Sequence, residues 1–229
     1  MTLEKIKEIE NELNKLKAEL VETEVVVLMD RSGSMQSNKS DHEGGLNAFV
    51  EKQRELPGKV YFTLIQFDDQ DPFDVMYDGV TLDQVTPIKL NPRGCTPLRD
   101  AIGRTIHHIS QKPKRDVIFL IVSDGLENAS KEYSQEQIRL NVLDKKERGW
   151  QFLFVGTNFD VITQGVNNGF DFGKNVVYSN NTNSINKAYD MAGTKFNSYR
   201  SCRAAGQSVH VSSQNLDFSQ EELNEIKEA

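Results

Sequence analysis

The stretch Val25-Val26-Val27-Leu28-Met29-Asp30-Arg31-Ser32-Gly33-Ser34 decides the fold of this chain. Its first five residues are apolar, mostly β-branched and too few for a helix, which indicates a buried β-strand. One carboxylate and two hydroxyls then follow at alternate positions in a glycine-containing turn. Such hard oxygen donors suit Mg²⁺, Mn²⁺ or Ca²⁺ rather than zinc or copper. By itself the pattern also fits a turn followed by a helix cap.

Two later segments predict further polar residues beside this turn. A second apolar run, residues 117–122, leads into Ser123, Asp124 and Gly125. Gly94-Cys95-Thr96-Pro97-Leu98 opens an amphipathic stretch, in which Pro97 fits the first helical position and Thr96 the N-cap. Ligands of open α/β sheets bind outside the carboxyl ends of the strands, where the strand order reverses. We therefore expect the two acids to meet there, although a plain cap and a plain turn residue remain alternatives.

Alternating strands and helices predict an α/β fold with a doubly wound, mostly parallel sheet and helices on both faces. A strand at 60–67 is joined to one at 73–77 by a short acidic loop. Because this connection is too short for a helical crossover, we expect an antiparallel edge strand. Two more strands are expected at 150–156 and 176–178. Helices are expected at 41–56, 134–148, 160–166 and 184–200, and the polar tail predicts a strand at 208–211 and a short helix after Ser219.

With these residues the chain resembles the von Willebrand factor A domain family. The matching motifs are Asp30-x-Ser32-x-Ser34, Thr96 within Gly-Cys-Thr-Pro-Leu, and Asp124 within Ser-Asp-Gly-Leu-Glu-Asn. They follow the family's order and match its metal-ion-dependent adhesion site at all five positions. The resemblance implies a Rossmann-like domain over residues 23–201. It also implies Mg²⁺, or Mn²⁺ or Ca²⁺, at these five residues, with the serines as direct ligands and the acids acting largely through water.

The resemblance further implies a binding function, in which the cation recruits an Asp or Glu of a partner protein. An ATPase is one such partner, since cytoplasmic bacterial relatives often work with ATPases. One alternative is a Mg²⁺-dependent hydrolase or phosphotransferase that uses the same site. Another is a self-associating protein with a structural metal. We expect no enzyme, because the chain has no phosphate-binding glycine loop, and His42 is expected to be an exposed residue at a helix start.

Charged and polar residues near the predicted site have expected supporting roles. Arg31 and Arg93 are expected to attract an acidic partner. Glu127 and Asn128 are expected to support the loop that carries Asp124.

Composition limits the partners and the compartment. The 229 residues carry a formal net charge of −7, which argues against nucleic acid as a principal partner. No apolar run has the length that a membrane span needs, and the charged first residues do not match a secretory signal. We therefore expect a cytoplasmic bacterial or phage protein that does not bind membranes. Cys95 and Cys202 are expected to be free thiols.

Residues 1–22 are expected to form an amphipathic helix that precedes the domain. Its apolar residues recur at spacings of three and four: Ile6, Ile9, Leu13, Leu16 and Leu20. In a parallel pair of chains Lys5 faces Glu10 and Glu12 faces Lys17, both attractive, which predicts a homo-oligomer. The alternative is that the helix folds back onto its own domain. Its stripe would then cover Phe218, Leu223 and Ile226 of the carboxy-terminal extension, residues 202–229.

Overall fold

A six-stranded sheet organises the protein, whose computed structural model describes residues 21–157 and 159–229 together with residues 5, 6, 9, 12 and 13. The strands are β1 (Glu22–Asp30), β2 (Lys59–Phe67), β3 (Asp74–Thr81), β4 (Asp116–Ser123), β5 (Gln151–Gly156) and β6 (Asn175–Val177). The helices are α1 (Lys39–Arg54), α2 (Leu98–Ser110), α3 (Gln135–Glu147), α4 (Phe159–Asn167), α5 (Thr182–Ala204), α6 (Val209–Ser213) and α7 (Gln220–Glu228).

The strand order is β3-β2-β1-β4-β5-β6. All pairs are parallel except β2 with β3, where the edge strand runs antiparallel. The chain builds β2 and β3 on one side of β1 and then crosses to build β4, β5 and β6 on the other. The strand order therefore reverses between β1 and β4, and Asp30 and Ser123 end side by side. The predicted fold class is confirmed.

Two hydrophobic cores cover the two faces of the sheet. Val25, Val27 and Met29 of β1 point to the face that packs against α1, α5 and α7. Val26 and Leu28 point to the face that packs against α2 and α3. Because both faces are covered, β1 is apolar at every position from 25 to 29 and lacks polar alternation. This explains why a continuous apolar run was the signal for the central strand.

Where α1 packs against α5 at Gly45, α1 contributes no side chain and a tyrosine of α5 fills the gap. A Cβ atom added to Gly45 in α1 would lie 2.2 Å from Cδ2 of Tyr189 in α5. The ring of Tyr189 thus occupies the space that any other residue at position 45 would need.

The carboxy-terminal tail differs from the prediction at residues 208–211. Residues 208–211 are not a strand; they begin α6, where the Ser208 hydroxyl accepts a hydrogen bond from the Val211 amide at 3.3 Å. This cap outweighs the strand preference of the two valines. Phe218 and Ile226 pack into the core beside α5.

The amino-terminal stripe is exposed at its described residues. Ile6, Ile9 and Leu13 are helical and are 37%, 51% and 47% exposed, so these three side chains are partly open to water. Leu16 and Leu20 lie outside the described residues.

Cys95 and Cys202 are free thiols. Within the described residues, no helix is both long and apolar enough to cross a membrane.

His42 is buried in α1, so the expectation of an exposed histidine is wrong. Its Nδ1 lies 3.1 Å from the Tyr189 hydroxyl and its Nε2 lies 3.2 Å from the Tyr178 hydroxyl. The Tyr189 hydroxyl donates to the Met29 sulfur at 3.6 Å. A neutral imidazole protonated at Nδ1 satisfies both tyrosines. Burial lowers the pKa of His42 to about 4, because desolvation disfavours the imidazolium.

The buried imidazole predicts a pH-dependent contribution to stability. Its folded pKa of about 4 lies below the ordinary 6.5, so the unfolded chain binds the proton more readily between these values. The contribution is complete above pH 6.5 and is lost as the pH falls toward 4. Relative to His42→Gln, we expect the wild-type free energy of unfolding to fall by about 3 kcal/mol over this interval. Urea unfolding of both proteins in chelator measures the difference, and a difference that does not change with pH would contradict the assignment.

Candidate metal-binding site

Asp30 anchors the candidate site at the carboxyl end of β1. Its side chain is fully buried. One carboxylate oxygen, Oδ1, accepts a hydrogen bond from the Ser32 amide at 2.6 Å, and Oδ2 accepts one from the Ser123 hydroxyl at 2.6 Å. These two bonds join the end of β1 to the turn that follows it and to the end of β4.

Three hydroxyl groups gather beside this carboxylate. Ser32 Oγ lies 3.1 Å from Ser34 Oγ, which donates to Asp124 Oδ1 at 2.5 Å. A Cβ atom added to Gly125 would lie 3.0 Å from Thr96 Oγ1, 3.6 Å from Ser34 Oγ and 3.9 Å from Ser32 Oγ. All five predicted site residues are therefore brought together, and the space left by the missing side chain of Gly125 lies among the hydroxyls.

Thr96 is held by Asn128 and does not cap α2. Its amide donates to Asn128 Oδ1 at 2.9 Å, and the Asn128 amide donates to its carbonyl at 3.1 Å. The N-cap of α2 is Pro97, so the predicted cap at Thr96 is wrong. Because the backbone of Thr96 is fixed by this pair of bonds, its hydroxyl is free to face the site. Asn128 thus positions Thr96 and ties the loop that carries Asp124 to the loop that carries Thr96.

Glu127 also ties two loops together. Its Oε2 accepts from the Arg99 amide in α2 at 2.8 Å, and its Oε1 accepts from the Ala129 and Ser130 amides at 2.9 and 2.7 Å. The loop after Asp124 is therefore fixed against the start of α2.

The loop before Thr96 is bonded to the turn after Asp30. The Gly33 amide donates to the Gly94 carbonyl at 3.0 Å, and the Arg93 amide donates to the Arg31 carbonyl at 2.8 Å. Gly94 has a φ of 67°, and a Cβ there would overlap Asp69. Only glycine fits this backbone conformation beside that carboxylate without strain.

Arg31 is buried beneath the candidate site, where it binds two acids of the same protein, and it does not face solvent. It is buried, and its Nε donates to Asp68 at 2.6 Å while its Nη1 pairs with Asp74. The expectation that Arg31 attracts an acidic partner is therefore wrong. Arg93 also donates to Asp68, at 2.8 Å, but its side chain stays largely at the surface. The buried Asp68 carboxylate thus joins the two loops by binding both guanidinium groups.

The two acids of the site, Asp30 and Asp124, have raised pKa values, as expected for buried carboxylates without a basic partner. Burial raises the pKa of Asp30 to about 7 and also raises the pKa of Asp124. In the part of the chain that the structure describes, neither acid forms an ion pair with a basic side chain. A bound cation would supply the missing positive charge.

The donor set fits a hard divalent cation. It consists of two carboxylates and three hydroxyls, all oxygen donors of the kind that Mg²⁺, Mn²⁺ and Ca²⁺ prefer. Among the described residues there is no group of three or more His, Cys, Asp or Glu side chains that could hold a metal. The candidate site is not such a group, because it has only two acids and depends on hydroxyls for the rest.

Sequence reasoning missed a role for Ser123 and Gly125. Ser123 orients Asp30, and Gly125 leaves the space among the hydroxyls. The signal was the small polar residue that ends an otherwise apolar strand, followed by an acid and a glycine.

No protein-family model matches the chain, and neither does any curated protein. Solved structures do match. The von Willebrand factor type A protein from Catenulispora acidiphila aligns with a TM-score of 0.55 at 11% identity, over 86% of this chain and 43% of that one. The fold is similar to that of a von Willebrand factor type A domain.

Two further structures share this fold. The pilus adhesin SpaC from Lactobacillus rhamnosus GG aligns with a TM-score of 0.60 at 10% identity, over 76% of this chain and 30% of that one. Proximal thread matrix protein 1 from the mussel byssus aligns with a TM-score of 0.54 at 16% identity, over 74% and 46%. Each match spans less than half of the other protein. At these identities the likeness shows the fold alone.

Gly125→Ala tests whether the space among the hydroxyls holds a cation. Its methyl group would fill that space, and we expect Mn²⁺ or Mg²⁺ affinity to fall by at least about tenfold. Calorimetric titration measures the affinity, and thermal unfolding in chelator checks that the domain stays folded. Gly44→Ala is the matched control, because nothing lies within 4 Å of a Cβ there. Equal cation affinity in Gly125→Ala and the wild type would rule out this position for the ion.

Proposed function

We propose that this chain is a metal-dependent protein-binding module. In this proposal a divalent cation, Mg²⁺ or else Mn²⁺ or Ca²⁺, binds at the carboxyl end of the sheet and recruits an Asp or Glu of a partner protein. The observation that carries the proposal is that three hydroxyls gather around one position beside Gly125, next to two carboxylates that are bonded to the same turn. The adhesin and the von Willebrand factor type A protein with the same fold support a binding role.

The residues of the site differ in their exposure to solvent. Asp30 is buried and already accepts two hydrogen bonds, so it supplies negative charge from behind the hydroxyls. Ser34 is exposed and Asp124 is half-buried, which leaves the outer side of the site open to solvent. A bound cation would provide a positive centre with room for an external oxygen ligand. Because Ser32, Ser34 and Thr96 are neutral, they leave much of its charge for a carboxylate from outside.

Two exposed side chains near the site suit a protein partner. Leu126 follows Gly125 and is 49% exposed, and the Arg93 side chain is 45% exposed. An apolar and a basic contact beside the open position would favour an acidic residue with an apolar neighbour over a free anion.

An enzymatic function is the weaker alternative. A serine nucleophile needs a base, and His42 has both ring nitrogens beside tyrosine hydroxyls in the core. His108 lies on α2 and pairs with Asp78 at 2.8 Å. We therefore propose that the chain is not an enzyme. A purely structural metal in a self-associating protein is the other alternative, and the solvent-facing side of the site argues against it.

The proposal includes a cytoplasmic location and a protein partner, for example an ATPase, rather than nucleic acid or a membrane. The net charge of −7 and the two free thiols support it.

Variants of the site should lose partner binding and keep the fold. We expect a lysate protein that is captured in Mg²⁺ to be released by chelator and not captured by Asp30→Ala or Thr96→Ala, because each lacks an oxygen donor. Circular dichroism should show the same helix and strand content in all of them with or without Mg²⁺, since neither core includes the ligands.

Asp144→Ala serves as the control, since it removes an exposed carboxylate on α3 that pairs with Arg148. It should capture the partner as the wild type does. In the captured partner, one Asp→Asn or Glu→Gln change should abolish capture as fully as chelator does. Capture that persists in chelator and in Asp30→Ala would move the interface away from the metal site.

The enzyme alternative has its own assay. With nucleoside triphosphates or generic phosphoesters in Mg²⁺ or Mn²⁺, we expect no turnover above that of Asp124→Asn. The reason is that among the described residues no histidine lies within hydrogen-bonding contact of the site hydroxyls, and the carboxylate that accepts from Ser34 belongs to the proposed cation site. Phosphate release that depends on Asp124 would make the site catalytic.

A further inference from the structure

We propose that two copies of this chain pair in parallel through residues 6–20, so that one assembly carries two candidate sites. The pairing itself does not depend on the proposed function. Only its consequence, a divalent binder, rests on that function.

The first observation is an apolar stripe that faces water. Ile6, Ile9 and Leu13 are helical and exposed, at successive spacings of three and four residues. Residues so spaced lie on one side of a helix. Their neighbours Lys5 and Glu12 are also helical and exposed. A stripe of large apolar side chains flanked by charges is what the seam of a coiled coil requires.

The second observation identifies the occupant. The sequence continues the same spacing through Leu16 and Leu20, so the stripe supplies five seam positions. In a parallel, in-register pair the positions flanking the seam bring Lys5 opposite Glu10 and Glu12 opposite Lys17 of the second copy. Each attraction occurs twice because the pair is symmetric. The charges of this segment therefore complement a second copy of itself.

The third observation is where this segment joins the domain. Val21 leads into β1, which runs from Glu22 to Asp30 without a break. A strand of this length spans roughly 30 Å. The paired segments join the domains at the amino ends of the central strands, whereas the candidate sites lie at the carboxyl ends. The pairing segment is therefore attached at the end of β1 opposite the candidate site, and a partner with two acidic residues could bind both sites of the pair at once.

Sedimentation of the full chain over a range of concentrations tests the pairing. We expect a mass of twice 26.0 kDa at high concentration. Ile9→Asp and Leu13→Asp should sediment as monomers, because each places a buried charge in the seam. Leu140→Asp is the matched control, since Leu140 is an equally exposed apolar residue on α3. It should dimerise as the wild type does, and circular dichroism should show every variant folded.

Charge exchange tests the parallel register. Glu10→Lys places two lysines opposite each other and should weaken the dimer, and adding Lys5→Glu should restore it. A wild type that stays monomeric, or a dimer that survives Leu13→Asp, would overturn the pairing. Failure of the double variant to recover would overturn the parallel arrangement.

The test also separates the pairing from the metal site. The dimer should persist in chelator and in Asp30→Ala. A dimer that dissociates in chelator would instead be held through the cation, which contradicts this proposal. A protein that dimerises but binds no cation would leave the pairing intact and remove the proposed function.

Discussion

The buried carboxylate of Asp30 is the interaction on which the rest of the site depends. It closes β1, holds the following turn through the Ser32 amide, and reaches across to β4 through the Ser123 hydroxyl. Burial of the ionised carboxylate in this position costs free energy, and the same burial raises the pKa of Asp30. This cost falls between β1 and β4, where the strand order reverses and the loops that follow the two strands diverge. The same divergence creates the opening in which the hydroxyls gather.

The surrounding loops are fixed before any ligand arrives. Asp68 holds Arg31 and Arg93, and Asn128 holds the backbone of Thr96. Side chains that are already in place lose little conformational entropy on binding, so less of the interaction energy is spent on ordering. This arrangement suits recognition of a small group such as one carboxylate, for which the available contact energy is limited.

The central strands and the meeting of the five candidate residues at one edge of the sheet were predictable because their signals are local. A buried parallel strand needs a continuous apolar run, and the reversal of strand order dictates where the acids meet. The burial of His42 was not predictable, because its partners Tyr178 and Tyr189 lie 136 and 147 residues later. The burial of Arg31 likewise depends on acids contributed by a distant loop and by β3. Residues 208–211 mixed a cap signal with β-branched residues, and the cap at Ser208 decides in favour of a helix.

The contact between Gly45 and the ring of Tyr189 has a further consequence. Helix α1 starts shortly after Ser34. The turn of the candidate site therefore lies at its amino end, and the contact with Tyr189 lies on its buried side. A bulkier residue at position 45 would push α1 away from α5 and tilt the turn at its start. Helix α1 thus couples the packing of the core to the position of the turn that carries Ser32 and Ser34. Substitutions that change the opening of the candidate site are therefore expected in the loops, because the packing of α1 against α5 leaves no room for α1 to move.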